Sequence, residues 1–229
     1  MTRRPNIRPR IKICCIANLD EARLAIAAGA DVLGLVSAMP SGPGPIDEAV
    51  IAEIAAAVAP PTETFLLTAL TDAAGIIAQH RRCNTTALQL VDHVPFDELA
   101  RLRDALPEIK LVQVIHVQGE GSVDQALAVA PRIDALLLDS GRPSAVVKEL
   151  GGTGRVHDWR SSRRIVELSP RPVFLAGALN AGNVARAIAE VRPYGLDLCS
   201  GVRSEGRLDA VKLRAFMAAA GGIQVGSEG

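Results

Sequence analysis

No charge of one sign dominates this chain of 229 residues: 25 basic side chains face 25 acidic ones. That balance argues against nucleic acid or an anionic membrane surface as the main partner. No apolar run is long enough to span a membrane, and no apolar stretch follows the basic start to make a secretory signal. Cysteine is scarce, at Cys14, Cys15, Cys83 and Cys199, with no Cys-x-x-Cys spacing, so neither a metal knuckle nor a disulfide framework is expected. A reducing, cytoplasmic setting follows from that usage. There is one tryptophan, Trp159, which reads as a packing anchor rather than a substrate stack. The first ten residues hold four arginines and two prolines with nothing that can pack, and read as a disordered basic leader. Residues 221–229 read as a flexible tail.

What remains, 11–220, alternates strictly. Short apolar runs fall at 11–16, 32–36, 64–70, 87–91, 109–117, 135–138, 172–176 and 195–199. Helix-period segments follow at 19–28, 47–58, 72–80, 96–106, 122–130, 161–168, 181–191 and 209–220. Asn18, Thr71-Asp72 and Pro95 supply start signals. Strand then helix, eight times, without a linker or composition break, is the pattern of one parallel (β/α)8 TIM barrel. An open doubly wound sheet is the other topology such a pattern allows.

A barrel collects chemistry at the C-terminal ends of its strands. Cys14 lies near the end of the first run and Asp139 closes the sixth; Gly177 and Ser200 follow the seventh and eighth. Alternation puts Lys12 and Cys14 on one face, and Ala135, Leu137 and Asp139 on another. Closure sets the eighth strand beside the first, so Lys12 and Asp197 can pair inside the barrel, a structural role more than a catalytic one. Taken singly, Cys14 could be a small buried hydrophobe and Asp139 a cap. The turns at Gly177-Ala178 and Ser200-Gly201-Val202 suit a phosphate held by backbone N–H groups, although glycine there also serves tight turns. Gly151-Gly152-Thr153-Gly154 lacks the Lys-Ser/Thr of a nucleotide loop and reads as a loop over the mouth.

In order, Lys12-Ile13-Cys14, Ala28-Gly29-Ala30-Asp31, Leu136 to Ser140, Gly151 to Gly154 with Asp158-Trp159, Leu175 to Leu179 with Asn183-Val184, and Asp197 to Val202 resemble the phosphoribosylanthranilate isomerases. The resemblance runs from Lys12 to about Phe216. It implies Cys14 as general base and Asp139 as general acid in an Amadori rearrangement of a phosphorylated aminoaldose, with no cofactor, nicotinamide or metal required. It implies a small phosphorylated sugar as partner, its phosphate at Gly177, Ala178, Ser200, Gly201 and Val202. A homodimer stays open, since the sequence gives no clear interface patch.

The chain also departs from the family pattern. Cys15 replaces the glycine after the base, Ala178 replaces the second glycine of the strand-seven turn, and Val91-Asp92 stand for His-Gly. The 37–45 stretch lacks the Ser-x-Arg that helps hold anthranilate, so Arg203, with Arg155 second, is expected to supply the cation for the carboxylate. The rewritten pocket keeps two alternatives in view: an isomerase of a different phosphorylated aminosugar, and a non-catalytic binder of phosphorylated ligands.

Overall fold

The computed structural model describes residues 8–141 and 158–221. Eight parallel strands close into a barrel: β1 (Arg10–Ile13), β2 (Val32–Val36), β3 (Glu63–Thr68), β4 (Ala87–Leu90), β5 (Lys110–His116), β6 (Ala135–Asp139), β7 (Val173–Leu175) and β8 (Gly195–Leu198). Between them run α1 (Leu19–Ala27), α2 (Glu48–Ala57), α3 (Ala73–Cys83), α4 (Phe96–Ala105), α5 (Gly121–Val129), α6 (Trp159–Leu168) and α7 (Val184–Val191), and α8 (Ala210–Gly221) follows β8. The eightfold alternation of the sequence is therefore the barrel it implied. Among the described residues no helix is long and apolar enough to cross a membrane.

The apolar side chains divide into two cores, as a barrel requires. Residues pointing out of the strands, such as Leu33, Leu66, Leu88, Leu136 and Leu196, pack with the helices in one large cluster. Those pointing in, including Val32, Phe65, Ala87, Val112, Leu137 and Phe174, fill the barrel itself. The strand period of two makes this division: one residue of each neighbouring pair serves the helices and the other the interior.

The ends of the elements follow local chemistry. Asn18 accepts from the Glu21 amide and caps α1; Asp72 does the same for α3 through Gly75. β1 stops at Ile13, earlier than the apolar run, because Cys15 at φ +64° turns the chain out of the sheet. α7 begins at Val184 rather than 181. The Asn180 amide is held by the Asn183 side chain and the Gly182 amide by the Asn180 side chain, which fixes a turn before the helix.

The leader expected over residues 1–10 is too long. Arg10 opens β1 and binds Glu63 at 2.6 Å, and Arg8 binds Asp31 at 2.9 Å. These carboxylates stand at the base of the barrel, where they give the arginines partners that composition alone did not reveal. α8 likewise reaches Gly221, one residue into the expected tail. The rest of leader and tail, and the Gly151 to Gly154 loop with Arg155 and His157, lie outside the described residues.

Candidate active site

The mouth of the barrel at the C-terminal strand ends holds an open cavity, the usual place for the site of this fold. Cys14 from the exit of β1 and Asp139 from the end of β6 both line it. So do Gln89 of β4, Asp197 of β8, Cys15, Cys199, and Met39 to Pro43 of the loop after β2, Pro40 excepted. The base and acid candidates, far apart in sequence, thus share one space.

Beneath Cys14 lies a buried ion pair. Lys12 is wholly buried, and its Nζ donates to Asp197 Oδ1 at 2.8 Å. The register of β1 against β8 sets Lys12 opposite Asp197, as closure of the barrel implied. Burial disfavours the Lys12 ammonium, but Asp197 and the neighbouring Cys14 outweigh it and hold its pKa above the ordinary lysine value. β2 makes room for both side chains with Gly34. A Cβ there would stand 2.8 Å from Cys14 Sγ and 2.9 Å from Lys12 Nζ, too close for either to stay. An isolated glycine inside Val-Leu-Gly-Leu-Val signals such an approach in the sequence itself.

The Cys14 thiol is held below the usual thiol range, first by a hydrogen bond from Cys15 and then by the charge of Lys12, which together exceed the opposing effect of burial. Cys15 moves the other way. Its hydrogen bonds with Cys14 and Cys199 and its burial push it far above the thiol range, so it stays protonated; its Sγ also donates to the Pro43 carbonyl at 3.6 Å and accepts from Cys199. Asp139 Oδ1 accepts from the Ser140 amide at 2.7 Å, which fixes the carboxylate at the strand end.

The two turns proposed for phosphate meet at the same rim. Gly177, Ala178 and Ser200 line the cavity. Among the described residues no acceptor is found for the backbone N–H groups of Gly177, Ala178, Ser200 or Gly201. The Gly177, Ala178 and Ser200 amides at this rim, with no acceptor among the described residues, suit an anion. Gly201 holds the turns together: a Cβ there would lie 1.9 Å from the Leu179 carbonyl oxygen. Val202 stands behind them, fully buried, its amide given to Cys199. Ala178 replaces a glycine yet keeps φ +52°, a left-handed conformation that costs an alanine about 1 kcal/mol or more. Ala178→Gly is therefore expected to raise the unfolding free energy, by up to about 1 kcal/mol after the greater flexibility of unfolded glycine is counted. Urea unfolding checks this; a less stable variant would contradict the strain.

Arg203 is placed differently from what the sequence led us to expect. Its guanidinium binds Glu21 of α1 at 2.8 Å, the Gly206 carbonyl at 2.7 Å and the Cys15 carbonyl, and it does not line the cavity. Glu21 also accepts from the Ala17 and Leu208 amides. Arg203 is thus a strut between α1 and the β9 (Arg203–Ser204) and β10 (Arg207–Leu208) ribbon, its charge already matched. Sequence distance from Ser200 suggested a mouth position, whereas the carboxylate awaiting it from α1 sits 182 residues away. Among the described residues lining the cavity there is no lysine, arginine or histidine. Trp159 is buried at the start of α6 with the Arg186 guanidinium 4.9 Å above its ring, the packing role expected of it.

Comparison with known proteins bears on this arrangement. Residues 11–219 match the family model of N-(5'-phosphoribosyl)anthranilate (PRA) isomerase. An N-(5'-phosphoribosyl)anthranilate isomerase of Methanosarcina mazei is 35% identical over 210 residues, 91% of this chain and 92% of that protein. One from Acidithiobacillus ferrooxidans is 39% identical over 214 residues, 91% of this chain and 96% of the relative. Among solved structures, the phosphoribosyl anthranilate isomerase of Thermotoga maritima superposes with a TM-score of 0.80 at 26% identity, covering 94% of this chain and all of the other.

Proposed function

The chain belongs to the PRA isomerase family, isomerases of tryptophan biosynthesis, and we propose that Cys14 and Asp139 are the base and acid of its Amadori rearrangement. Asp139 protonates the ribose ring oxygen of N-(5'-phosphoribosyl)anthranilate, and the ring opens to a Schiff base. The Cys14 thiolate takes the proton from C2. The resulting enolamine tautomerises to the aminoketose, 1-(o-carboxyphenylamino)-1-deoxyribulose 5-phosphate. The 5'-phosphate rests against Gly177, Ala178, Ser200 and Gly201.

The observation that carries the reading is that Cys14 and Asp139 line one cavity whose rim carries N–H groups with no acceptor among the described residues. A tryptophan auxotroph lacking the isomerase tests it. The wild-type chain is expected to restore growth without tryptophan, and Cys14→Ala and Asp139→Asn to fail despite equal soluble expression. Growth restored by both variants would sink the assignment.

Gln89 takes part as a positioning residue. Its Oε1 is buried with no hydrogen-bond partner among the described residues, and the side chain lines the cavity. A carbonyl oxygen there suits the substrate's amine N–H, whose positive character grows as the Schiff base forms. Gln89→Leu is expected to lower kcat/KM about 10- to 100-fold, the worth of one hydrogen bond to a charged group. An unchanged kcat/KM would remove Gln89 from the mechanism.

A second reading is favoured by one feature, the absence of a cationic side chain among the described cavity residues. A buried carboxylate needs donors or a cation. The same acid and base would then serve a phosphorylated aminosugar without that carboxylate. Comparing kcat/KM for PRA with that for analogues lacking the benzoate group separates the two.

A further inference from the structure

The rearrangement uses one of three thiols in the mouth. Cys14, Cys15 and Cys199 all line the cavity, and all are free. Cys15 occupies a left-handed position, φ +64°, where a glycine would sit without strain. The strained residue places its sulfur 2.7 Å from that of Cys199. Pairing of Ile13 with Leu198 in adjacent strands brings the two chain exits together, so backbone ladder fixes the approach rather than a chance rotamer. Closing to the ~2.05 Å of a disulfide takes well under an ångström of movement, by the ordinary bond length.

We propose that Cys15 and Cys199 are a second reactive site in the mouth of the barrel, a dithiol that exchanges with small disulfides of the glutathione type and thereby switches the isomerase off. Cys199 is the more exposed of the two and makes the first attack. Its thiolate bonds to one sulfur of glutathione disulfide, the S–S bond breaks, and one glutathione leaves as thiolate, taking up the proton Cys199 lost. Cys15 then attacks the Cys199 sulfur and expels the second glutathione, its proton passing by way of the Cys14 thiolate to that leaving thiolate. Two protein thiols are oxidised to one disulfide while one glutathione disulfide is reduced to two thiols. Once bonded, Cys15 has no S–H to donate to Cys14, so the base titrates higher and is less often a thiolate at neutral pH.

Formation of the bond stands apart from the reading of Cys14 as base; only its effect on rate rests on that reading. The test is incubation of the purified full chain with glutathione disulfide, followed by alkylation, peptide mass analysis and assay with PRA. The expected result is a peptide pair joined through residues 15 and 199 and loss of two alkylatable thiols, with Cys83 unaffected. That cysteine is buried in α3 and its thiol is pushed up to about 11 by burial. The kcat/KM at neutral pH falls at least fivefold, its rise with pH moves to higher pH, and dithiothreitol reverses both. Cys199→Ala forms no cross-link, and its rate does not respond to the oxidant. Absence of the cross-link, or a stable glutathione adduct on Cys14 instead, overturns the dithiol site. A cross-link that leaves rate and pH profile unchanged overturns the switch, and the Cys14→Ala rate then judges the base assignment separately.

Discussion

Cys14→Ala is expected to lower kcat/KM for PRA by about 10²- to 10⁴-fold, the usual contribution of a positioned general base. The fold should be untouched, because the side chain is small and faces the cavity rather than the helices. The wild-type profile carries a second, independent signature. A thiolate base is active above its pKa, and Cys14 is held low by the Cys15 hydrogen bond and the Lys12 charge. The rise of kcat/KM with pH should therefore fall below the ordinary thiol range, near 8.5 for a free cysteine. Cys15→Gly removes the donor and should move that rise upward while relieving the strain at φ +64°. A rise that stays put in Cys15→Gly would show that Cys14 is not the group titrating.

The second large effect concerns stability. Lys12→Met leaves Asp197 inside the barrel without its cation, and breaking a buried pair in this way costs about 3–5 kcal/mol. For a chain of this size that is a drop in melting temperature of roughly 6–20 °C. The double variant Lys12→Met, Asp197→Leu should recover much of it, since removing both charges also removes their desolvation cost. The pH dependence follows from the sign of the shift. A lysine whose folded-state pKa is raised contributes stability that is complete below the unfolded value, about 10.4, and is lost as pH rises through the higher folded value. Thermal unfolding monitored at neutral pH and above pH 10 checks both points. A single variant as stable as the wild type would show that the pair is not holding the barrel.

Much of this was legible before any coordinates. The short apolar runs between helix-period segments read as eight strands, and their even spacing as closure. Closure then put Lys12 beside Asp197 by register alone. What the sequence hid depends on contacts between distant segments. Arg203 follows the Ser200 turn along the chain, but only the fold brings Glu21 to it, and the ion pair draws the guanidinium away from the mouth. The meeting of Cys15 with Cys199 needs β1 next to β8 and a positive φ at Cys15, and neither shows in the spacing of four cysteines. Gly34 was readable as an anomaly inside an apolar strand, yet what it makes room for could not be known without knowing which side chains point across it. The leader was overextended for the same reason: Asp31 before β2 and Glu63 of β3, the partners of Arg8 and Arg10, lie far along the chain.

The assay that bears most directly on the catalytic assignment follows the fluorescence of PRA generated in situ, with purified wild type, Cys14→Ala and Asp139→Asn measured side by side and circular dichroism confirming that all three are folded. The expected result is consumption of PRA by the wild type, with each variant slower by at least 10²-fold. Wild-type protein that leaves PRA unconsumed, or folded variants that turn it over at the wild-type rate, would contradict a mechanism built on Cys14 and Asp139.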